Sequence, residues 1–144
     1  MPKITSNINF ISRCMTLYRS EKLSDEIAGA YHLYVYAICK KPGRSQDELS
    51  QDLFVHKSSV ARAIAYLEER GLIERKSDES DKRISRVYPT DKMLELLPRV
   101  KEISSSFLDK LTEGISEEEL MLFDSVITRM RENASRAAKG ENEQ

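Results

Sequence analysis

The chain has 144 residues, of which 40% are apolar and 33% are charged, and its formal net charge is −1. This length suits one hydrophobic core, five glycines are too few for a glycine-rich nucleotide fold, and the near-neutral charge argues against a general polyanion binder. No apolar run approaches the roughly 18 residues of a membrane helix, and the N-terminal residues lack a signal-peptide core. We therefore expect a cytoplasmic protein that does not enter the membrane.

The cysteines and histidines are few and scattered. Cys14 and Cys39 lack CxxC spacing, and His32 and His56 are the only two histidines, so we expect no metal site and no other cofactor. Neither histidine accompanies a serine or cysteine in a recognisable nucleophile motif, and a phosphate-binding loop is absent. The sequence therefore argues against an enzyme.

The N-terminal third predicts two helices. Apolar residues recur at spacings of four and three, the pattern of one helix face, and they are Ile4, Ile8, Ile11, Met15 and Tyr18. After a polar break, residues 30–40 are nearly all apolar or aromatic. They predict a second helix that is buried on most sides and ends at Pro42 and Gly43.

The middle of the chain predicts a helix-turn-helix. Ser45 and Glu48 have the spacing of a capping box at the start of a short third helix. A fourth helix follows within a few residues, over 55–71. Two short segments, 72–73 and 84–88, then predict a two-stranded hairpin with a charged tip. Two short helices followed by such a hairpin are typical of a winged helix-turn-helix, in which the hairpin is the wing.

The C-terminal part predicts two more helices. Thr90 is a suitable N-cap for a long helix that reaches Leu111 and bends at Pro98, where a backbone donor is missing. Ser116 and Glu119 form a second capping box at the start of the last helix. The apolar stripe of that helix is Leu120, Phe123, Val126 or Ile127, and Met130. The fold class expected is therefore mostly α, with helices on both sides of the winged core.

The fourth helix has a polar face that suits DNA. Val60, Ile64 and Leu67 follow the spacing of a core-facing stripe. The residues predicted on the opposite face, with the two basic residues at its ends, are Lys57, Ser58, Ser59, Arg62, Ala63, Tyr66 and Arg70. Small hydroxyl residues near a helix N-terminus let the backbone approach a phosphate, and an arginine one turn later can pair with guanine. The alternative interpretation is the solvated side of an amphipathic helix.

The hairpin tip suggests a second DNA contact. An arginine at such a tip can enter the minor groove, and a nearby carboxylate can hold its guanidinium in place. Asp81 and Arg83 lie two residues apart, and therefore on the same side of an extended segment. Lys82 and Arg86 are candidates for additional phosphate contacts. The alternative is a surface ion pair without a binding role.

We expect a single domain over residues 1–138. It contains a DNA-binding lobe at 29–90 between dimerisation helices at 1–22 and 91–138, and a disordered tail follows at 139–144. A chain of this size has little to cover the apolar faces at both ends. A homodimer formed through the first and last helices would bury them.

The motifs of the middle region resemble those of the MarR-type transcriptional regulators. The similarity runs from "KPGRSQDELSQDLFVHKSSVARAIAYLEERGLIER" to "DKRISRVYPTD", about half of the chain. The family pattern Asp-x-Arg-x-x-x-Val-x-Leu-Thr is met by Asp81, Arg83, Val87 and Thr90, with Pro89 in place of leucine. A departure is at position 56, where histidine replaces the aspartate that usually caps the recognition helix.

This resemblance implies a homodimeric regulator, most often a repressor, that reads a pseudo-palindromic operator in double-stranded DNA. It also implies release by a small aromatic or phenolic effector, which would bind between the dimerisation helices and the DNA-binding lobe. Tyr31, Tyr34 and Tyr36 are candidates to line that site, although core packing is their favoured role. A winged-helix module for protein contacts is an alternative function, but it would not need both Arg62 and Arg83.

Cys14 raises a further alternative. One branch of the family senses organic hydroperoxides through a cysteine in its first helix, and "RCMTLYRS" resembles that branch in placing Tyr18 four residues after Cys14. A sensor thiol needs a lowered pKa and access to the oxidant. Cys14 lies beside an apolar stripe, and Tyr31 and Tyr34 do not align with the tyrosines of that branch. We therefore favour a packed structural thiol over a redox switch.

Overall fold

The computed structural model describes residues 3–23 and 25–140. These residues form six α-helices and three short strands, and a 3-10 turn at Gly29–Tyr31 precedes the second helix. In chain order the elements are α1 (Ile4–Lys22), α2 (His32–Lys40), β1 (Arg44–Ser45), α3 (Gln46–Leu53), α4 (Lys57–Glu69), β2 (Ile73–Ser77), β3 (Ser85–Pro89), α5 (Asp91–Leu111) and α6 (Glu117–Lys139). The predicted mostly helical, winged helix-turn-helix fold is confirmed. Among the described helices, none is long and apolar enough to cross a membrane.

The chain divides into two compact units, one ending at Phe107 and the other beginning at Leu108. The first unit holds the winged core, whose fully buried side chains come from α2, α3, α4, the sheet and α5. They include Val35, Ile38, Leu49, Val60, Ile64, Leu67, Val87, Met93 and Val100. In the second unit α6 buries none of its described residues within this single chain.

Two helices begin at the capping boxes that the sequence predicts. Ser45 Oγ accepts from Glu48 N at 3.2 Å, and a Glu48 carboxylate oxygen accepts from Ser45 N at 2.8 Å. Ser116 and Glu119 repeat the arrangement at 3.2 and 2.9 Å. Each box satisfies backbone N–H groups that have no partner inside the helix. The hydrogen bonds from Ser116 hold the pKa of Glu119 below its usual value.

The sheet has three strands in the order β1-β3-β2, and all pairs are antiparallel. The predicted two-stranded hairpin is present as β2 and β3, and Arg44 and Ser45 add a third strand by pairing with Val87 and Arg86. A two-residue strand has no periodicity of its own, so only pairing with β3 reveals it. Strand β2 is longer than the segment 72–73 that was predicted for it. It extends to Ser77, because residues 74–77 pair with β3 although they are polar and exposed.

The long helices lie where the sequence predicts them, except at the C-terminal end of α6. α1 ends at Lys22, within the predicted segment 1–22, and α5 is one helix that contains Pro98. α6 reaches Lys139, and Gly140 ends it with a left-handed φ of 72°. The helix therefore includes the first residue of the predicted disordered tail, and residues 141–144 lie outside the described part of the chain.

A buried arginine fixes the start of the helix-turn-helix. Arg44 is 8% exposed, and its guanidinium donates to the carbonyls of Ala37 and, at 3.3 Å, Lys41. These carbonyls belong to the end of α2. The same group pairs with Asp52 of α3 at 2.8 Å. Arg44 thus caps one helix and anchors the next.

Replacing Arg44 with alanine should lower the free energy of unfolding by about 1–3 kcal/mol, because the Ala37 carbonyl would lose its charged donor in a buried site. Urea unfolding followed by circular dichroism measures this change. Lys57→Ala is the control, since the Lys57–Asp47 pair at 3.1 Å is exposed on both sides and should contribute less than about 0.5 kcal/mol. Equal effects of the two substitutions would contradict the anchoring role.

Candidate nucleic-acid interface

The buried stripe of α4 determines which of its side chains face outward. Val60, Ala63, Ile64 and Leu67 are fully buried, at the three- and four-residue spacing of one helix face. The prediction that Ala63 lies on the outer face is therefore wrong, because it belongs to the same stripe as Val60 and Leu67. Between Ser58 and Leu67 the exposed positions are Ser58, Ala61, Arg62 and Ala65, and Ser59 is half-buried.

The N-terminus of α4 suits an anion. His56 is its N-cap residue, and within the described residues the histidine side chain makes no capping hydrogen bond. The first turn holds Lys57, Ser58 and Ser59 and no carboxylate. The positive end of the helix dipole is thus not offset by an acid in the first turn, which favours a phosphate there.

Tyr66 is part of the packing and not of the open face. Its hydroxyl oxygen accepts from the backbone N–H of Ala28 at 2.9 Å, and its ring centroid lies 4.4 Å from that of Tyr31. The Arg70 guanidinium lies over the same ring, 3.9 Å from its centroid. These contacts give Tyr66 a packing role, and its predicted contact with DNA stays a prediction. The partners responsible are distant in sequence, which is why the helix pattern did not reveal them.

The wing tip contains the predicted ion pair. Arg83 Nε donates to Asp81 Oδ1 at 3.0 Å, and Arg83 Nη2 donates to Oδ2 at 2.9 Å. The pairing is bidentate, yet the arginine side chain is 90% exposed. The residues lie in a turn closed by the Ile84 N–H to Asp81 carbonyl hydrogen bond of 3.0 Å, not in the extended segment on which the prediction was based. The guanidinium is thus oriented by Asp81 but open to solvent.

Asp78 organises the tip, and the sequence analysis missed it. Its carboxylate accepts from Ser80 N at 3.1 Å, Ser80 Oγ at 2.5 Å and Asp81 N at 3.0 Å. These bonds from Ser80, with a further one from Arg86, hold the pKa of Asp78 well below its usual range. The order Asp-x-Ser in "SDES" is the signal that was available, since aspartate commonly accepts from the backbone two residues on.

Arg86 is committed to partners within the chain. Its Nε donates to Asp78 Oδ1 at 2.5 Å, and its Nη1 donates to the Gly43 carbonyl at 2.8 Å. These bonds give Arg86 a structural role, and its predicted contact with phosphate stays a prediction. Lys82, by contrast, is exposed in the turn beside Arg83. The exposed basic groups of the wing tip are thus Lys82 and Arg83.

Two of the three candidate effector tyrosines pack against α4. Tyr34 is 5% exposed, and Tyr31 lies between Tyr34 and Tyr66, with ring centroids 6.3 and 4.4 Å away. Burial raises the pKa of Tyr34, and the charge of Arg62 partly offsets this shift. These contacts are those of core packing.

Tyr36 belongs to a different cluster, between α1, α2 and α5. Its hydroxyl lies 3.1 Å from Ser104 Oγ and 3.3 Å from the Val100 carbonyl. Arg19 is 7% exposed and donates to Ser104 Oγ at 3.2 Å, with His32 Nδ1 3.4 Å away. Burial lowers the pKa values of both Arg19 and His32. Sequence patterning could not show this cluster, because its members come from three helices.

The two cysteines are free thiols, and both are half-buried. Burial raises the pKa of Cys39. Cys14 lies on α1, where the neighbouring Phe10 and Leu17 are 61% and 70% exposed. In the described part of the chain, histidine, cysteine and acidic side chains form no group of three that could hold a metal ion.

The sequence and the fold of this chain are similar to those of known proteins. The model of the MarR family matches residues 27–84, which span the helix-turn-helix and most of the wing. The chain is 27% identical over 137 residues to an HTH-type transcriptional regulator of Bacillus subtilis (strain 168), YybA, covering 94% of this chain and 91% of that protein. The crystal structure of the transcriptional regulator SlyA is 28% identical, with a TM-score of 0.89, over 98% of this chain and all of that one.

A MarR family transcriptional regulator from Listeria monocytogenes, complexed with 26mer DNA, has the same fold. Its TM-score is 0.86 at 24% identity, and the match covers 100% of this chain and 99% of that one. The family model and the solved structure that match this chain are those of transcriptional regulators. The chain is thus similar to the MarR family of winged helix-turn-helix transcriptional regulators, in sequence over residues 27–84 and in the fold that it shares with SlyA.

Proposed function

We propose that this protein is a MarR-type transcriptional regulator, which binds DNA sequence-specifically as a homodimer on a pseudo-palindromic operator and represses transcription there. The observation that carries the proposal is the exposure of Arg62 on α4 and of Arg83 at the wing tip, on two elements of one winged core. Support comes from the Listeria monocytogenes relative, which shares the fold and was solved with DNA. The proposed contacts are Lys57, Ser58, Ser59, Arg62, Arg70, Lys82 and Arg83, with Asp81 orienting Arg83.

The two arginines would read different grooves. α4 would enter the major groove, where Arg62 can donate two hydrogen bonds to one guanine. The amides at the start of α4 would face a phosphate. Arg83 would enter the minor groove, where negative potential attracts a cation but bases are poorly distinguished. Arg62 would therefore supply base preference, and Arg83 mainly affinity.

A homodimer would cover apolar surface that the single chain leaves open. In α1, Ile4 and Ile8 are 46% and 42% exposed, and in α6 Phe123 is 60% exposed. We propose that these helices, within 1–22 and 91–138, form the dimer interface on either side of the lobe at 29–90, so that residues 1–138 act as one functional domain. Two lobes related by a two-fold axis would match a pseudo-palindromic site. A DNA-binding regulator of this kind would act in the cytoplasm.

A gel shift with the DNA that flanks the gene for this chain tests the proposal. We expect a discrete complex that survives excess scrambled duplex, because Arg62 would discriminate among bases. Equal displacement by specific and scrambled duplexes would contradict sequence-specific binding. Absence of any complex at low salt would favour the alternative, a winged-helix module that contacts proteins.

A small aromatic or phenolic effector is the second part of the proposal. The cluster of Tyr36, Ser104 and Arg19 combines an aromatic ring, a hydroxyl and a buried cation between α1, α2 and α5, which suits an aromatic molecule with a hydroxyl or carboxylate group. Phenol and benzoate are suitable probes, with cyclohexanecarboxylate as the control that lacks an aromatic ring. We expect the aromatic probes to raise the melting temperature and weaken operator binding. Equal effects of all three would contradict an aromatic effector site.

Cys14 is expected to be a structural thiol and not a redox switch. Peroxide treatment should therefore change operator binding equally in the wild type and in Cys14→Ser, because the thiol is half-buried on α1. The measurement is a gel shift after a peroxide series, with reductant added back. Loss of binding in the wild type alone, restored by reductant, would instead establish the peroxide-sensing alternative.

A further inference from the structure

Arg86 joins the wing tip to the start of the helix-turn-helix. Its guanidinium contacts Asp78 at the base of the tip, the Gly43 carbonyl just before β1, and Glu48 in the first turn of α3, at 2.5, 2.8 and 3.4 Å. Its side chain is 30% exposed and that of Asp78 only 14%. Glu48 also belongs to the capping box of α3. The Arg86 side chain thus contacts both the wing, whose tip carries Arg83, and α3 of the helix-turn-helix.

We propose that Arg86 and Asp78 form a wing latch, a pair of positioning residues that holds Arg83 in the orientation required for DNA. The proposal deepens the DNA-binding function and rests on it. Arg86 does not touch DNA in this role. It acts through Asp78, and Asp78 acts through the backbone of the tip.

The route from α3 to Arg83 is a continuous series of hydrogen bonds. Arg86 donates to Asp78, whose other carboxylate oxygen accepts from Asp81 N at 3.0 Å. The Asp81 carboxylate in turn accepts from the backbone N–H of Arg83 at 3.1 Å and from its guanidinium. The Asp78 N–H to Ile84 carbonyl bond of 2.8 Å closes the tip at its base. Fixing Asp78 therefore fixes the turn that carries Arg83.

The chemistry of the latch requires arginine. Guanidinium Nε and Nη1 donate in two directions, so that Asp78 and the Gly43 carbonyl are bound at the same time. A lysine has the same charge but only one terminal nitrogen, and it cannot span both acceptors in this geometry. A phosphate contact, by contrast, would accept lysine with little loss. The Arg86→Lys substitution therefore separates positioning from simple charge.

For a substitution at Asp78, a positioning role and direct electrostatics predict opposite changes in DNA affinity. Asp78→Asn removes a negative charge from a surface proposed to face DNA, so electrostatics alone predicts tighter binding. Loss of the latch predicts weaker binding. The matched control is Glu79→Gln, which removes the same charge from the next residue, an exposed side chain at the same tip.

Fluorescence anisotropy over a salt series, on the duplex identified by gel shift and on its scrambled counterpart, measures these effects. We expect Asp78→Asn and Arg86→Lys to weaken binding on the order of tenfold, and Glu79→Gln to leave it unchanged or slightly tighter. Asp78→Asn that binds as tightly as Glu79→Gln would overturn the proposal. Wild-type affinity in Arg86→Lys would do the same, since charge alone would then suffice.

Hydrogen exchange of the protein without DNA provides an independent readout. The amides of residues 79–84 should exchange faster in Asp78→Asn and Arg86→Lys than in the wild type or in Glu79→Gln, with the core unchanged. Unchanged exchange at the tip would overturn the latch even if binding fell. If the wild type bound no duplex, the proposed DNA-binding function would be contradicted. The hydrogen-exchange rates at the tip would then be the only test of the latch.

Discussion

Deleting residues 1–18 should leave the protein as a monomer or an aggregate, and operator binding should fall on the order of 100-fold or more as the second half-site contact is lost. The deletion removes most of the apolar stripe of α1, including Ile4, Ile8 and Ile11. It leaves the apolar face of α6, with Phe123 60% exposed, without a proposed partner. Sedimentation velocity and anisotropy measure the two effects.

Because the deletion also removes contacts within the first unit, such as the Tyr18–Phe107 ring pair at 5.3 Å, a point variant is needed. Ile8→Glu places a charge in the stripe, and Asn9→Glu places the same charge on the neighbouring exposed position as a control. We expect only Ile8→Glu to dissociate the dimer while circular dichroism stays unchanged. A stable, soluble monomer of the full-length wild type would contradict the dimer.

Local signals in the sequence predicted much of the fold. The two capping boxes are tetrapeptide patterns whose hydrogen bonds form within one helical turn, so Ser45 and Ser116 could be assigned without tertiary information. Strand β1 could not be assigned in this way, because Arg44 and Ser45 form a strand only through their pairing with β3. The length of β2 was missed for the same reason, since its polar residues have no apolar alternation.

In the candidate site, too, contacts between neighbouring residues were predicted and contacts between distant residues were not. The Asp81–Arg83 pair is local and was predicted, although the segment is a turn. Tyr66 and Arg86 were assigned to DNA because they are polar and lie on the expected elements. Their actual partners, Ala28 and Gly43 among them, are 38 and 43 residues away in the chain. A side chain that reaches such a partner cannot be told from an open one by sequence pattern.

Arg62→Ala and Arg83→Ala should impair DNA binding in different ways. Arg62 would donate to a base edge, so its loss should cost about 1–3 kcal/mol per half-site on the operator and relax base preference. Arg83 would sit in the minor groove, so its loss should lower affinity for operator and scrambled duplex more evenly and flatten the salt dependence. Anisotropy over a salt series on both duplexes measures each effect.

Two further variants complete the comparison. Asp81→Ala should show a weaker form of the Arg83→Ala defect, because it removes the carboxylate that holds the guanidinium at 2.9 and 3.0 Å but leaves the charge. Arg131→Ala, on α6 and outside the lobe, removes an exposed arginine of equal charge and should change the affinity for neither duplex. An effect of Arg131→Ala equal to that of Arg83→Ala would mean that only net charge matters.

The outcome at Arg83 decides what the wing does. Its side chain is 90% exposed while a bidentate carboxylate restricts it, a geometry that loses rotational freedom without burying apolar surface. Such an arrangement is useful when the ordered guanidinium meets a ligand, because the entropy is already lost before binding. If Arg83→Ala binds both duplexes as the wild type does, while circular dichroism shows the same fold, the wing makes no DNA contact. The Asp81–Arg83 pair would then be a surface ion pair, and recognition would belong to α4 alone.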